Sequence, residues 1–105
     1  MKVITLCGSM RFEAEMQRIA LELECRGDVC VLPLVFNVPG RELTGAERER
    51  LGAAHYKRIE LCDTVYVVDI GGHIGEAVRA EIACAQRMGK EIVYHSRMRE
   101  AVDVC

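Results

Sequence analysis

The sequence predicts an α/β domain, a small parallel sheet of four strands with helices on both faces. Three observations lead there. Short apolar runs rich in β-branched residues alternate with stretches of helical period, in the order β-α-β-α-β-α-β. The strand runs are nearly continuously apolar, as in strands covered on both sides. Two of them end in glycine turns that lead directly into a helix. Right-handed crossovers then give the strand order 2-1-3-4.

The first strand is Lys2–Cys7, apolar at Val3, Ile4 and Leu6, and it ends at Gly8-Ser9. A helix follows from about Met10 to Cys25, with Ser9 as its N-cap and Met16, Ile19, Ala20 and Leu23 as its buried stripe. Arg26-Gly27-Asp28 stops it, and Val29–Leu32 is the second strand, closed by Pro33. Leu34 to Thr44 is the longest irregular segment, of the length and kind that serve as binding loops or lids. Thr44 and Glu47 have the spacing of a capping box and open a helix that runs to about Leu61. Leu51, Ala54, Ile59 and Cys62 supply its apolar side, onto which His55 and Arg58 also project. Each has a plain reading, His55 as a hydrogen-bonded core residue and Arg58 as a snorkelling side chain. Thr64–Val68 is the third strand, ending on Asp69, with the turn Ile70 to Gly75 behind it. The next helix spans Gly75 to Met88 and stops at Gly89-Lys90. Glu91–Tyr94 is the fourth strand, and Ser96 to Cys105 is a weakly patterned tail that suits a short helix docked on the sheet or on a partner. This is a small three-layer sheet of flavodoxin- or Rossmann-like type, in a single domain over residues 1–105.

A chain of 105 residues, half of them hydrophobic, builds one core and not two. A net charge of −2 leaves no electrostatic footprint for nucleic acid, so no nucleic-acid partner is expected. No apolar run nears the roughly 18 residues of a membrane span, and the N-terminus reads as a strand rather than a leader, so the expectation is a cytoplasmic protein without a membrane partner. The six cysteines form no CxxC and have no histidine at finger-like spacing, so neither a metal nor a cofactor is expected. They read as reduced thiols, with Cys7 as a packing residue beside a candidate site.

The anomaly is Glu81. At about 100° per residue, Ile74, Ala77, Val78, Ala85 and Met88 share one helix face and Glu81 lies in its middle, with Glu76 nearly opposite. A carboxylate there is costly unless it is paired, lies at the edge, or lines a cavity. In sheets of this kind ligands bind beyond the carboxyl ends of the strands where the strand order reverses, which brings Cys7-Gly8-Ser9 and Asp69-Ile70-Gly71-Gly72 to one crevice. Gly8-Ser9-Met10-Arg11 there is either a plain strand–helix turn or a phosphate cradle of backbone N–H groups, a hydroxyl and a guanidinium.

Cys7-Gly8-Ser9-Met10-Arg11 resembles the opening turn of the 2′-deoxynucleoside 5′-monophosphate N-glycosidases. The segment from Glu81 through Ile82, Ala83 and Ala85 to Gly89-Lys90 resembles one shared with the nucleoside 2-deoxyribosyltransferases, and Cys62-Asp63 with the third strand also fits. The resemblance runs from Lys2 to Tyr94. It implies a glutamate nucleophile, Glu81, that attacks C1′ of the sugar and expels the base. It further implies that Gly8, Ser9 and Arg11 hold the sugar or its 5′-phosphate, that Phe12 packs on the base, and that Asp69, Gly72 and Gly75 line the pocket. His55 takes the place where the family often has an Asp, and can handle a proton near neutral pH. Arg79 stands where phosphate-binding members have small residues, and is itself a candidate phosphate ligand, donated across a dimer.

The function so implied is cleavage or transfer at the N-glycosidic bond of a (deoxy)nucleoside or its 5′-monophosphate, in a homodimer or larger homo-oligomer. The alternatives are a non-catalytic nucleotide sensor using the same crevice and a scaffold with a vestigial one.

Overall fold

A computed structural model of the chain describes residues 1–98, so the expected tail beyond Met98 lies outside the described residues. Strand β1 (Lys2–Gly8) pairs in parallel with β2 (Val29–Val31) on one side and β3 (Thr64–Val68) on the other, and β3 pairs with β4 (Glu91–Tyr94). The order β2-β1-β3-β4 is the one expected. Helices α1 (Glu13–Arg26), α2 (Gly45–Leu61) and α3 (Glu76–Arg87) complete the three layers.

Strand parity sorts the core into two halves. Ile4 and Leu6 of β1 and Tyr66 and Val68 of β3 pack on Met16 and Ile19 of α1. Cys7, Val65 and Val67 face the other way, onto Ile59 of α2 and Val78, Ile82 and Ala85 of α3. All five residues of β3 are buried, as a strand covered on both faces must be. A fully buried Thr5 donates its hydroxyl to the carbonyl of Arg58, and the Asp63 carboxylate accepts the Val3 N–H at 2.7 Å, so β1 is tied to the junction where α2 ends and β3 begins.

Several boundaries differ from the sequence expectation, each for a local reason. Met10–Phe12 is a short 3₁₀ turn, so α1 starts at Glu13 and Ser9 caps the turn rather than the helix. Strand β2 stops at Val31, although Leu32 still donates to Ile4. In α2 the buried stripe is Ile59 and Cys62, whereas Ala54 is exposed and Leu51 is 37% exposed. In α3 the stripe is Val78, Ile82 and Ala85, with Ala77 and Met88 turned outward. Its centre is thus displaced from the expected one, and Glu81 stands at its edge, about 60° from Val78. The helix ends as expected. Gly89 takes φ +73°, Lys90 donates its N–H to Ala85, and the Lys90 ammonium reaches the carbonyl of Glu60 at the end of α2.

Candidate active site

Three elements of one core half deliver the candidate site. Cys7 is on the face of β1 that looks toward α2 and α3. On α2, His55 precedes the buried Ile59 by one helical turn, so its ring lies on the same stripe, nearer the carboxyl ends of the strands. From α3, Glu81 reaches in from the edge of the buried face. Its Oε1 lies 3.2 Å from His55 Nε2, and each of these side chains is 16% exposed. The same nitrogen is 3.4 Å from Cys7 Sγ.

The chemistry of the three groups differs. Cys7 is fully buried, and desolvation, then the neighbouring Glu81 charge, drives its thiol far above the usual range. A reactive cysteine needs the opposite, a stabilised and accessible thiolate, so Cys7 is no nucleophile in this arrangement. Glu81 is the carboxylate that reaches open space: one oxygen is held by the imidazole and the side chain opens on a cavity. Its charge also reaches Tyr56, whose hydroxyl is pushed up by burial and by Glu81 together.

That cavity, about 210 Å³, lies beyond the end of β1 under the irregular segment after β2. Leu34, Val35, Asn37 and Leu43 roof it, and α2 and α3 wall it. The roof is tied down at Asn37, which donates to the Arg41 carbonyl and accepts from the Val38 N–H, and by an ion pair between Arg41 and Glu47. Arg48 and Arg58 stand in the wall, and among the described residues neither guanidinium has a hydrogen-bonded or ionic partner. A larger hollow of about 380 Å³ between α1 and residues 31–36 is mostly apolar. Its one ionisable group, Glu24, already accepts the Val31 N–H, so that hollow holds no chemistry.

Of the residues expected at the site, Glu81, His55 and Gly8 line the cavity. Ser9 accepts the Arg11 N–H, and the Arg11 guanidinium lies 5.0 Å above the Phe12 ring. Phe12 meets His73 edge to face at 6.1 Å, so the two turns do stand side by side, but outside this cavity's wall. Gly72 takes φ +79° in its turn, and Gly75 is the N-cap of α3. Arg79 lies back along its own helix, donating to Ile74.

Asp69 has a different task. It is 4% exposed, and its two carboxylate oxygens accept the N–H and hydroxyl of Ser96, capping the helical turn at 95–98.

Arg48 is the addition that sequence reasoning missed, and Arg58, read there as a snorkelling side chain, joins it in the cavity wall. Arg48 and Arg58 are separated by almost three helical turns, and the signal was their placement on one helix with His55 between them. The Cys7–His55–Glu81 cluster also escaped spacing rules, since its members come from three elements far apart in the chain. Their ligating atoms lie within 4.8 Å of one another. No protein-family model, curated protein or solved structure matches this chain.

Proposed function

We propose that this chain cleaves or transfers the N-glycosidic bond of a (deoxy)nucleoside or its 5′-monophosphate, with Glu81 as nucleophile. The observation that carries the reading is a carboxylate with one oxygen held by an imidazole at 3.2 Å, at the rim of a cavity beyond the carboxyl end of β1. Glycosyl transfer with a covalent intermediate needs such a carboxylate, accessible and fixed in direction.

In the proposed reaction, a Glu81 oxygen bonds to C1′ as the C1′–N bond breaks. The base leaves with the bonding electron pair and takes a proton from solvent. Water or a second base then attacks C1′ and releases the carboxylate. His55 holds Oε1 and keeps the other oxygen turned toward the sugar. Arg58 and Arg48 supply positive charge for a 5′-phosphate in the same wall.

The test is base release from a panel of ribo- and deoxynucleosides and their 5′-monophosphates, with and without an acceptor base. Glu81→Gln is expected to reduce release to background while its melting transition stays cooperative. Undiminished release by that variant would remove Glu81 from the chemistry. Arg58→Ala is expected to weaken monophosphates by about tenfold or more and nucleosides little, since a charge-assisted hydrogen bond is worth about 1.5–3 kcal/mol.

A nucleotide sensor is the second reading, favoured by the clasp of His55 on Glu81. Raised melting temperature with a panel member and no base release over long incubation would select it. The same proposal includes a homo-oligomer in a reducing, cytoplasmic setting. A monomeric mass in sedimentation at micromolar concentration would overturn the oligomer.

A further inference from the structure

The contacts within the cluster are crowded in an informative way. One ring nitrogen, His55 Nε2, faces both a sulfur at 3.4 Å and a carboxylate oxygen at 3.2 Å. A neutral imidazole nitrogen offers either one proton or one lone pair, so it serves one of these neighbours at a time. A cation set among the three atoms bonds to all of them at once.

We propose that Cys7 Sγ, His55 Nε2 and a Glu81 oxygen form a binding site for a thiophilic divalent cation of the zinc class, its fourth position open to the cavity. The distances suit this. With bonds of about 2.3 Å to sulfur and about 2.0 Å to nitrogen and oxygen, tetrahedral geometry puts sulfur and nitrogen about 3.5 Å apart and nitrogen and oxygen about 3.3 Å apart. Two observed edges are 3.4 and 3.2 Å, and the three atoms all lie within 4.8 Å of one another, so a turn of the Glu81 side chain about its own bonds brings the sulfur–oxygen edge to the length a shared ion needs. The donor set decides the metal. Thiolate with imidazole and one carboxylate selects zinc-like ions, whereas magnesium and calcium take oxygen ligands.

The ligands are held in advance. Cys7 is fixed in a buried strand, and His55 and Glu81 project from helices whose neighbouring residues Ile59 and Ile82 are in the core. Both helical ligands open on the cavity, which gives an entry path and room for a water or an anionic group as fourth ligand. Binding exchanges the Cys7 thiol proton, which passes to buffer, for a sulfur–metal bond, and nothing is oxidised. The ion takes an oxygen of Glu81, so it shuts off turnover that depends on that carboxylate. The site therefore acts as an inhibitory cation switch on the same cavity.

The experiment uses the full chain, stripped with chelator under reducing conditions and titrated with Co²⁺, then with Zn²⁺ in competition. One equivalent of Co²⁺ is expected, with a thiolate-to-cobalt charge-transfer band in the near ultraviolet and the visible bands of a tetrahedral site. Cys7→Ser is expected to abolish the charge-transfer band, and His55→Gln and Glu81→Gln to weaken binding by about tenfold or more. Cys25→Ser, which changes an exposed thiol, is the control and keeps the band. A band that survives Cys7→Ser, or the absence of stoichiometric binding, overturns the proposal. If Cys7→Ser does not fold, the two variants at the cavity wall decide the matter, and unchanged affinity in both overturns it. These readouts need no turnover, so failure of the glycosyl-transfer reading leaves them interpretable.

Discussion

At the scale of single residues, periodicity alone drew attention to Glu81, which it put in the middle of an apolar face and the structure sets at the edge of one. The sequence set Cys7 beside the candidate site and, through the resemblance, His55 in it with Glu81, but not the contacts among the three. Cys7 faces the pair because of strand parity, and a shift of one residue in β1 would put Leu6 there instead. Gly8 shows the limit of reading a glycine as a ligand cradle. A Cβ at Gly8 would lie 3.1 Å from both the Cβ and the carbonyl oxygen of Val68 and 3.3 Å from the Met16 sulfur. Close packing of β1 against β3 and α1 is thus enough to favour glycine there. Met16 is flexible enough to yield but the Val68 backbone is not. Gly8→Ala should therefore destabilise the fold by about 1–3 kcal/mol, read as a lower midpoint in urea. A midpoint equal to wild type would show that the strands part without cost.

At the scale of elements, local chemistry was legible and rotation was not. The capping box at α2 forms as its residues predicted: Thr44 Oγ1 accepts the Glu47 N–H at 3.1 Å and the Glu47 carboxylate accepts the Thr44 N–H at 3.0 Å. The Thr44 backbone hydrogen bond and the nearby Arg41 charge hold the Glu47 carboxyl below its ordinary range. Thr44→Ala should cost about 1 kcal/mol in denaturant titration. A loss near zero would mean that the start of α2 is held by its contacts and not by its cap. In α3 the Gly89-Lys90 pair, which carried part of the resemblance, ends the helix and caps α2. Its place in the motif is thus accounted for by backbone geometry. The rotation of α3, by contrast, came from packing Val78, Ile82 and Ala85 against β1 and β3, and no count of apolar residues on the helix alone contains that information.

At the scale of the whole molecule, the end of the described chain is locked to the sheet by polar contacts. Ser96 donates twice to Asp69, and Tyr66 Oη lies 2.7 Å from His95 Nδ1. Burial lowers the affinity of His95 for its proton. Asp69 opposes that shift and Arg18 adds to it. The unfolded chain then binds a proton more readily than the folded one, so stability rises with pH. This contribution is complete above the ordinary histidine value of 6.5 and is lost as the pH falls from there through the lowered value in the folded chain. Melting temperature should therefore drop as the pH falls below about 6.5, and His95→Gln should flatten that drop. An unchanged slope in the variant would assign the loss to other groups. Glu47 and Glu91, both held below their ordinary values by hydrogen bonds, add a further loss only at lower pH. Among the described residues no helix is long and apolar enough to cross a membrane.

The sequence by itself determined the alternation of strands and helices, the parallel order of the sheet, the capping box, the helix stop at Gly89, and the suspicion that falls on Glu81. These follow from periodicity and short-range backbone chemistry, which depend on residues a few positions apart. Only the tertiary structure decided which side chains share the cavity. It placed Asp69 under Ser96, put Arg48 and Arg58 in the wall, and set Cys7, His55 and Glu81 within reach of one another. That outcome depends on strand parity and helix rotation about a common core, and a change of one residue or 100° redirects every side chain without altering the pattern of elements.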